Sequence, residues 1–163
     1  MNKKKLPPQM IDILKESHFA YLCTIDENNQ PHITPMFFIF DEETKDIFVV
    51  TSLKSKKMKN IQVNPQVSLT VDVRDPDNPF NNRGVMVQGK AVIEKTLDSL
   101  SAAKDTELIG VYKAFNKKYP ILSEAKTSAQ VEYQEFSETL VRVRADKMVY
   151  WRGPYFITVS FNR

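Results

Sequence analysis

Between Asp46 and Asp72 the chain reads DIFVVTSLKSKKMKNIQVNPQVSLTVD, a stretch that admits few folds. An apolar strand runs into a corner of hydroxyl and lysine residues. A short helix follows, and Asn64-Pro65 stops it before a second strand. Ser55 is a natural N-cap, and Met58 and Ile61, at helical spacing, give the helix one apolar edge to dock. A helix of about eight residues is not stable alone in water, so it must lie against the flanking strands.

The hydroxyls of Thr51, Ser52 and Ser55 and the ammoniums of Lys54, Lys56 and Lys57 cluster where this helix begins. Free backbone N–H groups and the positive end of the helix macrodipole point to the same place, so the corner can hold a phosphate. A lysine-rich helix is also what an ordinary solvated face looks like, and the lysines alone do not decide between the two. The charge balance bears on the choice. The chain has 23 Lys+Arg against 20 Asp+Glu, and setting aside Lys54, Lys56, Lys57 and Lys59 leaves 19 against 20. The positive excess is therefore local to this corner and the Lys3-Lys4-Lys5 tail, whereas a nucleic-acid binder spreads it along a stripe. No nucleic-acid motif is present.

At 163 residues, 42% hydrophobic and 26% charged, the chain suits one globular domain over residues 1–163, long enough to bury about two-thirds of its unfolded surface. Cys23 is the single cysteine, so no intrachain disulfide and no thiolate zinc cluster is available, in keeping with a reducing compartment. The opening MNKKKLPPQM lacks a signal-like apolar region, and no run approaches the roughly 18 apolar residues of a membrane span. A soluble, cytoplasmic protein is expected.

Pro7-Pro8 suits the first turn of a helix carrying Met10, Ile11, Ile13 and Leu14. Phe19–Ile25 is a nearly continuous apolar strand, and Asp26-Glu27-Asn28-Asn29 supplies a hairpin turn. Pro31–Phe40, a polar turn over Asp41–Asp46, and Ile47–Ser52 complete three consecutive antiparallel strands. After the basic corner come Val67–Val73, a proline-interrupted loop, and Val85–Ile93. Gly89 inside that last strand marks a bulge, a barrel bend or a close approach to a ligand, the bulge being favoured. From Leu97 to Tyr119 the period becomes 3.6, which predicts one or two helices ended by Pro120. Residues 121–137 read as partly helical. Thr139–Tyr150 alternates as a closing strand, and Tyr155–Phe161 supplies a further one. The expected fold class is mainly β with flanking helices, an antiparallel barrel whose closure removes exposed edges.

Two histidines, His18 and His32, are too few for a histidine-rich metal site, and neither has a metal-like carboxylate partner in sequence. His18 follows the first helix, where its C-terminal dipole accounts for a cation, and His32 reads first as a strand-surface residue. With only four glycines there is no Walker loop, no Gly-x-Gly-x-x-Gly and no Gly-x-Ser-x-Gly. An enzyme built from this chain needs a cofactor to carry the reactivity.

Taken in order, five groups of residues resemble the pyridoxamine 5'-phosphate oxidase-like, FMN-binding split-barrel superfamily. They are Phe19 to Thr24, Gln30 to Phe37, Thr51-Ser52-x-x-Ser55-x-Lys57-x-x-Asn60, Asn64-Pro65-x-Val67-Ser68-Leu69, and Arg83-Gly84-Val85-Met86-Val87-x-Gly89-x-Ala91. The likeness covers about residues 10–95, with an echo from Val141 to Trp151. No single motif is strong, but their order and spacing together carry the likeness.

That resemblance implies a six-stranded antiparallel split β-barrel that forms a homodimer, with each FMN at the subunit interface. Lys56 and Lys57 match the basic pair that contacts the phosphate, and Thr51, Ser52 and Ser55 match the polar positions around it. Thr34, Pro35, Met36 and Phe37 match the strand lying along the isoalloxazine ring. Gly84 stands where many members place a glutamine reaching the cofactor from the partner subunit, and Gln88 is the nearby candidate to replace it.

Members that oxidise pyridoxamine phosphate carry an arginine where Thr34 stands and end in an Arg-x-His motif. This chain offers Trp151-Arg152-Gly153-Pro154 with no nearby histidine, which argues against vitamin-B6 oxidation. The proline and phenylalanine spacing from Pro31 to Phe38 also resembles members that bind the deazaflavin coenzyme F-420. The readings are therefore an FMN-dependent oxidoreductase of a small-molecule substrate, an F-420-dependent reductase, or a flavin or haem carrier without turnover.

Overall fold

The computed structural model describes residues 5–96, 105–120 and 138–162. Strands β1 (Ala20–Ile25), β2 (Pro31–Met36), β3 (Phe38–Asp41), β4 (Asp46–Ser52), β5 (Gln66–Val73), β6 (Arg83–Thr96), β7 (Glu138–Arg152) and β8 (Tyr155–Ser160) form one antiparallel sheet. Helices α1 (Pro8–Glu16), α2 (Lys56–Val63) and α3 (Thr106–Lys118) pack against it.

The strand order is β2-β1-β5-β6-β7-β4-β3, with β8 on β7. Only Phe37 separates β2 from β3, so the two ends of this path meet in one bent strand, and the sheet curls back on itself. Counted that way the sheet has seven strands instead of the six that the family resemblance implies, β8 being the seventh. The added strand has a simple origin. β7 is long enough to pair with β6 along its length and to divide its other edge between β4, at residues 138–144, and β8, at residues 147–152.

Alternation explains which residues go inside. On β4, Ile47 and Val49 enter the barrel core with Leu22, Leu69, Val71, Val85, Val87 and Val143. Phe48 points to the other face, where Leu108, Val111, Tyr112 and Phe115 of α3 cover it. A strand buried on both faces loses its polar alternation, which is why this segment reads as a continuous apolar run. Arg142 fastens α3 to that face: it contacts Glu107 of α3 at 3.0 Å, Glu94 of β6 at 2.8 Å and Asp46 of β4 at 3.5 Å.

Pro8 sits in the first turn of α1, where its missing N–H removes no bond, and Leu6, Met10, Ile13 and Leu14 are buried in the barrel core. Gly89 lies at a true bulge. Gln88 pairs with Lys147 and Gly89 with Ala145, which leaves Asp146 unopposed on β7. A Cβ on Gly89 would lie 2.0 Å from the Arg144 carbonyl oxygen, so only glycine fits. The predicted helical span from Leu97 is realised as α3 from Thr106. Residues 97–104 and the ambiguous 121–137 lie outside the described residues. Among the described residues, no helix is long and apolar enough to cross a membrane.

Candidate functional site

The sheet has one internal divergence. β3 and β4 pair only over residues 38–41 and 46–49, and beyond the Phe38 and Val49 pair the two chains separate. β2 turns to β1, while residues 50–52 of β4 continue beside β7. A wedge thus opens between β2 and the end of β4, and no described strand bridges it.

The basic corner closes the mouth of this wedge. Ser55, extended at φ −69° and ψ 151°, caps α2 by accepting from the Met58 N–H at 3.3 Å. Its hydroxyl is 3.3 Å from that of Thr51, and the Lys57 ammonium donates to Thr51 Oγ1 at 3.2 Å. Thr51, Ser55 and Lys57 therefore converge. The peptide N–H groups of Lys56 and Lys57 have no acceptor among the described residues, as expected in the first turn of a helix. Burial pushes the Lys57 ammonium below the usual lysine range, and no carboxylate among the described residues is within ion-pair reach of it. An anion would supply the missing counter-charge.

Lys56 turns the other way. Its ammonium lies 3.1 Å from Asp26 Oδ2, on the turn between β1 and β2. Asp26 is fixed there because its Oδ1 accepts from the N–H groups of Asn28 at 2.9 Å and Gln30 at 3.0 Å, with Asn29 at φ 60° completing the turn. The Gln30 N–H first, then Lys56 and after it the Asn28 N–H, hold the Asp26 carboxyl below the ordinary aspartate range. α2 is tied to β1 a second time by buried Asn60, whose Nδ2 donates to Thr24 Oγ1 at 3.0 Å. The Ser52 hydroxyl accepts from the Lys54 N–H at 3.2 Å, within the turn that leads to α2.

The other expected contacts are more dispersed. Thr34 lies on the wedge strand, with its hydroxyl 3.3 Å from His32 Nδ1, and Pro35 is exposed beside it. Met36 is buried in the barrel core. The Phe37 ring packs between Phe19, at 5.0 Å, and Tyr119, at 4.8 Å, so what it offers the wedge is backbone. Gln88 is on the outer face of the sheet, in a groove of about 510 Å³ that Cys23, Ser68 and Lys147 also line. Within one chain it does not join the Thr51, Ser55 and Lys57 corner. Sequence reasoning missed Asp26 as a site residue, since its turn role masked its ion pair, and it missed Tyr119, whose partners lie far away in the chain.

A curled antiparallel sheet with a wedge beside a hydroxyl and ammonium corner defines a class of split-barrel proteins, and comparison with known proteins agrees. The family model for pyridoxamine 5'-phosphate oxidase matches residues 6–151. The chain belongs to the pyridoxamine 5'-phosphate oxidase-like split-barrel superfamily. It is 29% identical over 105 residues to the F-420-dependent biliverdin reductase of Mycobacterium tuberculosis, covering 64% of this chain and 69% of that protein. The heme binding protein of Mycobacterium smegmatis shares the fold with a TM-score of 0.68 at 12% identity, over 96% of this chain and 60% of that one. A conserved hypothetical protein of Mycobacterium tuberculosis, Rv2991, does so with a TM-score of 0.66 at 22% identity, over 94% and 89%.

Proposed function

We propose that this protein is an FMN-dependent oxidoreductase that works as a homodimer on a small-molecule substrate. The observation that carries this reading is the convergence of Thr51, Ser55 and Lys57 at the mouth of the wedge, with an ammonium that has no carboxylate partner among the described residues. Family members bind flavin-type cofactors, and the residues present fit the phosphate of one. Lys57 would form a charge-assisted hydrogen bond to it, Ser55 and Thr51 would donate hydroxyls, and the free N–H groups at the start of α2 would complete the cradle. The edge of β2 from Thr34 to Phe37 would supply backbone groups along the ring system. The cofactor itself supplies hydride and electron transfer, while the barrel keeps water from one side of it. Gln88, on the outer face, would act on the cofactor held by the partner subunit.

A second reading is favoured by the sequence relative. The F-420-dependent biliverdin reductase shares 29% identity over 105 residues, which supports a deazaflavin in the same wedge. An absorbance spectrum of the purified protein, followed by parallel fluorescence titrations with FMN and coenzyme F-420, tests both. The FMN reading expects a yellow protein and tighter FMN binding. A colourless protein indifferent to FMN would refute it, and preferential F-420 binding would select the second reading. Oxidation of reduced cofactor above the free-cofactor rate separates an enzyme from a carrier.

A further inference from the structure

The two neighbouring lysines at the start of α2 do not share one environment. Lys57 reaches the β4 side of the wedge through Thr51, whereas Lys56 reaches across the mouth to Asp26 on the β1 to β2 turn. The carboxylate it meets is not a loose surface group. Asp26 is only 13% exposed, and both of its oxygens are engaged, Oδ1 by two peptide N–H groups and Oδ2 by Lys56. A fixed negative charge thus stands where a phosphate would need Lys56.

We infer that Asp26 is an internal competitor for the anion site: it holds Lys56 in the absence of cofactor and sets how strongly the corner favours a phosphate monoester. This inference rests on the cofactor reading above and adds a selectivity determinant to it. When a phosphate enters, Lys56 exchanges the carboxylate for the phosphate or shares itself between them, and the Asp26 charge repels the incoming anion in either case. The repulsion is greatest for a monoester dianion such as FMN, smaller for a phosphodiester monoanion, and absent for a ligand without phosphate. Asp26 thereby lowers the advantage that the phosphate gives FMN over riboflavin.

Asp26→Asn isolates the charge. An asparagine keeps the Oδ1 acceptor that the Asn28 and Gln30 N–H groups need, so the turn survives, but it offers Lys56 no anion. The experiment measures dissociation constants for FMN and riboflavin with wild type, Asp26→Asn, Lys56→Met, Lys57→Ala and the Asp26→Asn/Lys56→Met double variant, with melting curves to verify folding. The expected result is FMN binding about two- to fivefold tighter in Asp26→Asn than in wild type, the scale of a partly exposed ion pair, with riboflavin unchanged. The gain should be smaller in the Lys56→Met background, where only the direct repulsion remains, and should shrink at high salt. FMN affinity that is unchanged or weaker in a folded Asp26→Asn protein overturns the inference, as does an equal gain for riboflavin. Should Asp26→Asn fail to fold, Lys56→Met decides alone: unchanged FMN binding overturns the proposal and weakened binding supports it. Failure of the underlying cofactor reading looks different, since wild type would then not bind FMN, or Lys57→Ala would bind it as well as wild type.

Discussion

The hydroxyl of Tyr119 occupies both hydrogen-bonding positions of Phe38: it accepts from the Phe38 N–H at 3.1 Å and lies 2.9 Å from the Phe38 carbonyl oxygen. The His18 carbonyl is a further acceptor at 2.9 Å. These contacts close the backbone just where β2 becomes β3 and the wedge begins. Tyr119→Phe keeps the ring packing against Phe37 and leaves the Phe38 N–H without its acceptor, while the Phe38 carbonyl keeps the Lys118 ammonium. It should destabilise the protein by about 1–3 kcal/mol in urea unfolding, the cost of an unmet buried bond. A change below the error of the measurement would mean that water replaces the hydroxyl there.

Lys57 is expected to matter to binding well beyond what its place in a lysine run suggests. Lys57→Ala should weaken FMN binding by about 1.5–3 kcal/mol, the range for a hydrogen bond to a charged group, and the loss should diminish in high salt. Lys113, exposed on α3, is the control. If Lys113→Ala weakens binding equally, the effect is general electrostatics and the corner is no site.

The parts of this design that were legible in the sequence are local ones. Strand alternation, the Ser55 cap and the Met58 and Ile61 edge depend on neighbours within a few residues, and the same is true of the Gly89 bulge as a signal. The break at Phe37 was not legible, because Pro31–Phe40 is one unbroken β-prone run and the bend exists only because β4 and β1 draw its two halves apart. Nor was the direction of Lys56, whose partner Asp26 lies 30 positions earlier and already had a sufficient role in its turn. Gln88 needed the register of the sheet to be placed on the outer face.

Gly84 and Trp151 form a pair across β6 and β7. A Cβ on Gly84 would lie 2.3 Å from Trp151 Cζ2 and 2.5 Å from the Val71 carbonyl oxygen, so the indole lies over the bare glycine backbone. Gly84→Ala should therefore displace the indole and cost about 1–3 kcal/mol, as overpacking does. Trp151 is the chain's one tryptophan, so its emission reports the change directly. Unaltered emission and stability in the variant would contradict this packing.

Lys118 makes stability depend on pH in a direction opposite to that of a salt-bridged lysine. Its ammonium sits 4.1 Å above the Phe38 ring and donates to the Phe38 carbonyl at 3.2 Å, and burial lowers its pKa from 10.5 to about 8. Below pH 8 both folded and unfolded chains carry the proton, and the folded state bears the full cost of enclosing the charge. Between about 8 and 10.5 the folded chain has released the proton while the unfolded chain retains it. The unfolded state then binds more protons, so this group's contribution to stability rises with pH across that window. Lys118→Met removes the titration. Unfolding free energies of wild type and Lys118→Met, compared at pH 7 and pH 10, should show wild type gaining on the variant at the higher pH. A difference that stays constant, or that moves against wild type, would mean that the amine keeps its proton through its contacts with the ring and the carbonyl.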